Sequence, residues 1–205
     1  MSEAPARAAG LLLAAGRGRR LGQAKATLVG QDGVPWVVAA ARVLHDAGCA
    51  PVVVAVGAEG ATVRALLDGA DVEVVEVADW ASGMGASLRA GIEALTATDA
   101  DLALVHLVDL PDVGADVAAR VLRDVPPGGL ARATYAGRPG HPVALAREHW
   151  APLLQVLAGD RGASGYLADR VVVGVECGDL ARGTDVDTPE ALAEHRAARP
   201  HQPPS

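Results

Sequence analysis

The residues best equipped for chemistry crowd into one short stretch. Gly16, Gly18 and Gly22 are interleaved with Arg17, Arg19, Arg20 and Lys25, so four positive charges fall within nine residues of a chain whose net charge is −7. Glycines let backbone N–H groups approach an anion closely. Of 18 basic residues seventeen are arginine and Lys25 is the single lysine. Arginine serves a solvated surface well, whereas a compact ammonium suits a point-charge site, so a lone surviving lysine reads as chemically required. Together these residues suggest a cradle for polyphosphate; the plain alternative is a Gly-rich turn with solvated arginines. Two familiar loops fail on spacing. Five residues separate Gly16 from Gly22 and Ala26 follows Lys25, which excludes a Walker A loop. The stretch reads G-x-G-x-x-x-G, and the next strand ends in Gly57 instead of a ribose-holding acid, which argues against a dinucleotide fingerprint.

Polyphosphate transfer brings polyanions together and needs neutralisation and alignment. A divalent ion does this, Mg2+ by its preference for oxygen, and it requires carboxylates near the loop. Asp109 closes an apolar run and Pro111 stops that run from continuing. Asp187, with Asp185 on the same face of an extended segment, offers the second carboxylate. Asp187 reads equally as the cap of the helix that Pro189 begins, and the two roles are compatible. Asp112 reads as a cap of the following helix. His106, three residues before Asp109, faces away from it and reads as a core histidine. His141, in Gly-His-Pro, sits on an expected loop as either a substrate contact or a bystander. Ser87 is either an anion-reading residue at a helix N-terminus or an interior helix serine. Trp80 either lines a pocket for a flat ring or plugs the sheet end, and Arg161 either clamps an anion or is solvated. No general base is required, because an attacking phosphate is already ionised.

The elements that must carry these residues alternate regularly. Strands are expected near Gly10–Ala15, Pro51–Gly57, Asp71–Ala78, Asp101–Val108, Gly129–Ala136 and Arg170–Cys177. Helices are expected near Val34–Ala47, Glu59–Leu67, Gly85–Leu95, Ala115–Arg123, Arg147–Ala158 and Pro189–Arg199. Runs such as Pro51–Gly57, apolar nearly throughout, belong to strands covered on both faces. The fold class is therefore α/β, three-layered, with a mostly parallel doubly wound sheet, and ligands bind beyond the C-terminal strand ends.

With 205 residues, 50% of them hydrophobic, the chain is expected to form one domain over residues 1–198, with the Pro-rich residues 199–205 expected as a disordered tail. No apolar run reaches the length of a membrane span, and the apolar run after Met1–Gly10 is too short to be expected as a signal peptide. Cys49 and Cys177 lack metal or disulfide spacing. Acidity excludes whole-protein affinity for nucleic acid, and a soluble cytoplasmic protein is expected.

The segment from Leu13 to Lys25, L-A-A-G-x-G-x-R-L-G-x-x-K, resembles the signature of the MobA/MocA-like nucleotidyltransferases, closest to the molybdenum cofactor cytidylyltransferase branch. Asp79–Gly91, the His106–Pro111 element containing D-x-P, Gly137–Pro142, Gly159–Ala163 and Asp185–Glu190 follow in the family's order. The resemblance implies a Rossmann-like nucleotide-diphospho-sugar transferase type of fold. It implies Arg20, Lys25 and Asp109 as catalytic, and Leu13, Ala14, Ala15, Gly16, Arg17, Gly18 and Lys25 as nucleotide-binding. It further implies Trp80, Ser87 and His141 at the acceptor and Asp109 with Asp187 on Mg2+. The reaction implied is transfer of CMP from CTP to molybdopterin with release of pyrophosphate. Ala15, where guanylyl relatives carry a second glycine, narrows the base pocket and favours CTP. Val77-Ala78 stand where the family usually has Asn-Pro, and Leu110 where it has Gln or Met, both near the acceptor. GTP, a sugar or polyol phosphate acceptor, and a non-catalytic carrier serving a molybdoenzyme client are the alternatives.

Overall fold

The computed structural model describes residues 6–197; the expected tail, 199–205, lies outside them. Seven strands form one sheet in the order β3-β2-β1-β4-β6-β5-β7. They are β1 (Ala8–Ala14), β2 (Val52–Val56), β3 (Glu73–Glu76), β4 (Leu102–Leu107), β5 (Leu130–Tyr135), β6 (Arg138–Ala146) and β7 (Val173–Glu176). Every neighbouring pair is parallel except the two that involve β6, which runs against both β4 and β5. All seven β1 residues and all five β2 residues are buried, as expected of strands covered on both faces.

Helices cover each face. On one lie α1 (Trp36–Asp46), α2 (Gly60–Leu66) and α4 (Ala115–Asp124), meeting Leu12, Val54 and Leu104 of the sheet. α7 (Pro189–Ala197) joins this layer through the partly buried Leu192. On the other lie α3 (Met84–Thr96), α5 (Trp150–Val156) and α6 (Ser164–Ala168), meeting Leu11, Val53 and Val105. α1 buries Trp36, Val37, Ala40, Ala41 and Leu44, one stripe at helical spacing, and Gly48 follows its end at φ 90°. α3 presents Leu88, Ile92 and Leu95 to β1 in the same way. The chain winds outward from β1 through β2 to β3, then returns to place β4 on the other flank of β1. The crevice beyond the C-terminal ends of β1 and β4 is therefore the topological switch point.

The sequence expectations differ from the fold in four places. His141 lies within β6, not on a loop; the turn is Ala136-Gly137, both at positive φ, the pairing that a tight hairpin needs. Pro139, Gly140 and Pro142 disguise this strand, and a register shift between Arg132 and Thr134 accommodates them. The segment expected as a helix from Arg147 opens as a 3-10 turn, Arg147–His149, before α5 begins. The short α6 carries too little periodicity to be anticipated. Asp112 caps nothing: α4 starts at Ala115 behind Gly114. Among the described residues no helix is long and apolar enough to cross a membrane.

Because α3 is held on β1 by its fully buried Ile92, Ile92→Ala is expected to cost roughly 2–5 kcal/mol. Thermal melts should record this as a fall in Tm of roughly 2–4 °C per kcal/mol lost.

Candidate active site

Three segments meet at the switch point. The loop after β1 carries Gly16 to Lys25, and the turn after β4 carries Asp109. A long irregular return from β7 to α7 carries Asp185 and Asp187. They border a cavity of about 670 Å3, completed by the 3-10 turn Trp80–Ser82, the start of α3, and Pro139 to His141 of β6. Backbone geometry fixes the acids: the Val186 amide donates to the Asp109 carbonyl at 3.0 Å and the Val186 side chain is buried in the core. In an extended segment the flanking Asp185 and Asp187 then turn the other way, and both line the cavity. The cap of α7 falls to Thr188, whose hydroxyl accepts from the Ala191 amide, leaving Asp187 free for other work.

Lys25 is the hub. Its Nζ donates to Asp109 Oδ2 at 2.6 Å and to Asp187 Oδ1, and its side chain is only 14% exposed. Burial pushes the pKa of this ammonium down, but the charge and hydrogen bond of Asp109, with those of Asp187, outweigh it and raise the net value. The hydrogen bond from Lys25 leads the causes holding Asp187 below the ordinary carboxylate range. The hydrogen bond shared with Asp187, then burial, raises Asp185. Arg20 adds a longer ion pair to Asp187 Oδ2 at 3.7 Å, and with Arg17 and Arg19 lies exposed along the rim. Glu59 steadies the loop, Oε1 accepting from the Ala24 amide at 3.1 Å beside Lys25.

The other predicted residues sort clearly. Leu13, Ala15, Gly16, Arg17 and Gly18 line the cavity with Trp80, Ser87 and His141. Ala14 does not: it belongs to the core on the opposite face of β1, as strand alternation demands, so the expectation for its side chain is corrected. Trp80 packs across Gly57, where a Cβ would stand 2.5 Å from the Trp80 Cβ and 2.9 Å from that of Ala15. The residue after β2 is therefore a glycine because the Trp80 side chain crosses it. Ser87 sits in the first turns of α3, nearly buried. His106 is a core histidine, 1% exposed; burial first, then His141, pulls its pKa down to about 3. Burial, then Arg132, pulls His141 down to about 4, so both rings are neutral at physiological pH.

Sequence reasoning placed Leu110 near the acceptor but gave no site role to Ala81, Met84, Pro139 or Asp160, which it met only inside longer resembling segments; all five line the cavity. Asp160 follows a segment that Arg89 of α3 ties down. The Arg89 guanidinium donates to the Leu154 and Leu157 carbonyls at 2.7 and 3.1 Å, just before the turn that carries Asp160.

A nucleotide-sized cavity at the switch point of a parallel sheet, with a Gly/Arg loop opposite clustered acids, defines a nucleotidyltransferase. The chain belongs to the MobA-like NTP transferase domain family, whose pattern matches residues 10–174. It is 34% identical over 192 residues to the nicotine blue oxidoreductase of Paenarthrobacter nicotinovorans, covering 89% of this chain and 93% of that one. The fold matches a nucleotidyl transferase from Methanothermobacter thermautotroptrophicus at TM-score 0.79, with 21% identity over 93% of this chain and 96% of that one. It also matches Rv0371C of Mycobacterium tuberculosis H37Rv in complex with manganese, at TM-score 0.75 and 26% identity, over 94% and 100% of the chains.

Removing the ammonium leaves Asp109, Asp185 and Asp187 facing one another. The depressed Asp187 pKa means that its stabilising share is present above the unfolded carboxylate value and lost as pH falls through the folded one. Lys25→Met never has that share and adds repulsion that acid relieves. Its Tm deficit against the wild type should therefore be larger at pH 7 than at pH 3, below the unfolded carboxylate value, as melts across that range would record.

Proposed function

We propose that the chain is a cytidylyltransferase that moves CMP from CTP to the terminal phosphate of a molybdopterin-type acceptor and releases pyrophosphate, with Mg2+ as its ion. The observation that carries this reading is the meeting of the Gly16–Lys25 loop with Asp109 and Asp187 through Lys25. Asp109 Oδ1 is buried and hydrogen-bonded to nothing among the described residues, as a carboxylate oxygen awaiting a cation would be. The acids do not form a ready three-acid cage among those residues, since Lys25 stands between two of them. Asp109 and Asp187 would hold the ion, which supplies charge neutralisation at the α-phosphate.

The chain's own residues do the rest. Lys25 and Arg20 meet the triphosphate oxygens, and the amides around Gly16 and Gly18 cradle them. The backbone of Leu13, Ala14 and Ala15 borders the base, where the Ala15 methyl narrows the space. Ser87, in the first turns of α3, meets the acceptor phosphate with the helix dipole behind it. Trp80 and His141 flank the acceptor body. An acceptor phosphate oxygen attacks the α-phosphorus, that O–P bond forms, and the bond to pyrophosphate breaks. The attacking oxygen is already ionised, so no proton need move. The reaction requires no membrane or nucleic acid and is assigned to the cytoplasm, in residues 1–198 acting as one domain; a molybdoenzyme is the expected client.

A second reading is favoured by the curated relative, whose name is that of an oxidoreductase. On that reading the same cavity would hold a redox pair, with Trp80, Met84 and Leu110 against a flat acceptor.

Pyrophosphate release measured with each nucleoside triphosphate, Mg2+ and molybdopterin should occur with CTP and require the pterin. Lys25→Ala and Asp109→Ala should each lower it by at least about a hundredfold while circular dichroism stays native. Release from none of the triphosphates, together with reduction of nicotine blue by a reduced nicotinamide, would replace this reading with the second.

A further inference from the structure

The return from β7 to α7, residues 177–188, has no helix or strand of its own, yet it delivers Asp185 and Asp187 to the cavity. Something outside it must hold its shape. We infer that Asp112 is a positioning residue that clasps this return and sets the separation between Asp109 and Asp187. The inference rests on the metal-dependent transferase reading above.

Asp112 Oδ2 accepts from the Arg182 amide at 2.8 Å and from the Gly183 amide at 3.1 Å. Two adjacent amides on one carboxylate oxygen fix the direction of the backbone entering Asp185. The same side chain stands three residues beyond Asp109, on the turn whose carbonyl accepts from Val186. Two ties thus join the Asp109–Asp112 turn to the return, one on each side of Asp185. The geometry of the return at Gly183 is equally constrained: its φ is +61°, and a Cβ there would enter the Tyr135 ring. Tyr135 is itself held by its hydroxyl, which donates to the His141 carbonyl at 2.7 Å. Farther back, Arg120 of α4 grips Asp179 with two hydrogen bonds of 2.5 and 2.8 Å and donates to the Glu176 carbonyl. Asp112 does not line the cavity, so it touches neither nucleotide nor acceptor and acts through the placement of the acids.

Charge-assisted bonds to backbone amides are stronger than neutral ones, and groups that orient metal ligands characteristically matter to affinity out of proportion to their distance. The test is Mn2+ binding in the presence of CTP, followed by the electron paramagnetic resonance signal of the free aquo ion, which needs no turnover. Asp112→Ala should weaken Mn2+ binding about tenfold. Asp112→Asn, whose amide oxygen still accepts from both amides, should stay within about twofold of wild type. Val121→Ala, which opens the buried face of α4 but removes no polar contact of the return, controls for general destabilisation and should bind Mn2+ normally. Should Asp112→Ala not fold, Asp112→Glu, which moves the acceptor by one methylene, carries the same test and should also bind weakly. Wild-type affinity in Asp112→Ala, or equal weakening in Asp112→Asn or Val121→Ala, would overturn the inference. Asp109→Ala separates the two ideas: it should abolish Mn2+ binding, and if it does while Asp112→Ala binds normally, only the clasp fails. Undiminished binding in Asp109→Ala would instead remove the metal reading itself.

Discussion

The site depends on one electrostatic arrangement, an ammonium shared by two carboxylates at the end of a parallel sheet. Lys25 and Asp109 are 84 residues apart, and Lys25 and Asp187 are 162 apart. No local propensity brings such groups together; the sheet does. Burying charged groups is costly unless each finds its counterpart, and a paired buried ion is seldom a net source of stability. A lysine and two aspartates at that depth therefore do little for folding and make sense as chemistry. The single-lysine composition fits this. A guanidinium would serve the rim, as Arg17, Arg19 and Arg20 do, but a planar fork does not occupy the small space between two carboxylates as a point charge does.

What was legible in the chain follows from what is local. Strands apolar on both faces and one-sided helices announce themselves by period, so β1, β2, β4, α1 and α3 emerge close to their observed spans. The Gly/Arg loop and Asp109 are legible because packing alone does not call for clustered charge after a buried strand, or for an acid at the end of another. β6 was illegible because Pro139, Gly140 and Pro142 are loop residues by composition, and only the tertiary register beside β4 and the shifted pairing with β5 makes them a strand. Ala14 could not be separated from Ala15 by motif, since a motif has no faces; the strand does, and turns them to opposite layers. Asp112 looked like a helix cap because caps are common acids before helices, while its true partners, Arg182 and Gly183, lie 70 and 71 residues away.

The relative named for an oxidoreductase raises the question of how one cavity could serve two chemistries. The cavity is lined by two kinds of residue. The first is ionic, the Gly/Arg loop, Lys25 and the acids, and these residue types suit a polyphosphate whatever the reaction. The second, Trp80, Ala81, Met84, Leu110 and Pro139 with neutral His141, suits a flat, weakly polar body. A dinucleotide cofactor and a nucleoside triphosphate both present phosphates to residues of the first kind, so the Gly/Arg loop alone does not separate the two readings.

The acids do. Hydride transfer between a cofactor and a flat ring leaves the phosphates as spectators and has no work for clustered carboxylates beside them. Attack at an α-phosphorus makes those phosphates the reacting groups, and a cation held by acids is then the main means of spreading their charge. Asp109, with one oxygen on Lys25 and the other buried and unpartnered among the described residues, is costly in the first case and purposeful in the second. The backbone bond from Val186 to Asp109 adds to this, because it ties the two acid-bearing segments together at the place where their separation matters. A scaffold that kept the fold while abandoning transfer would have little reason to hold that geometry.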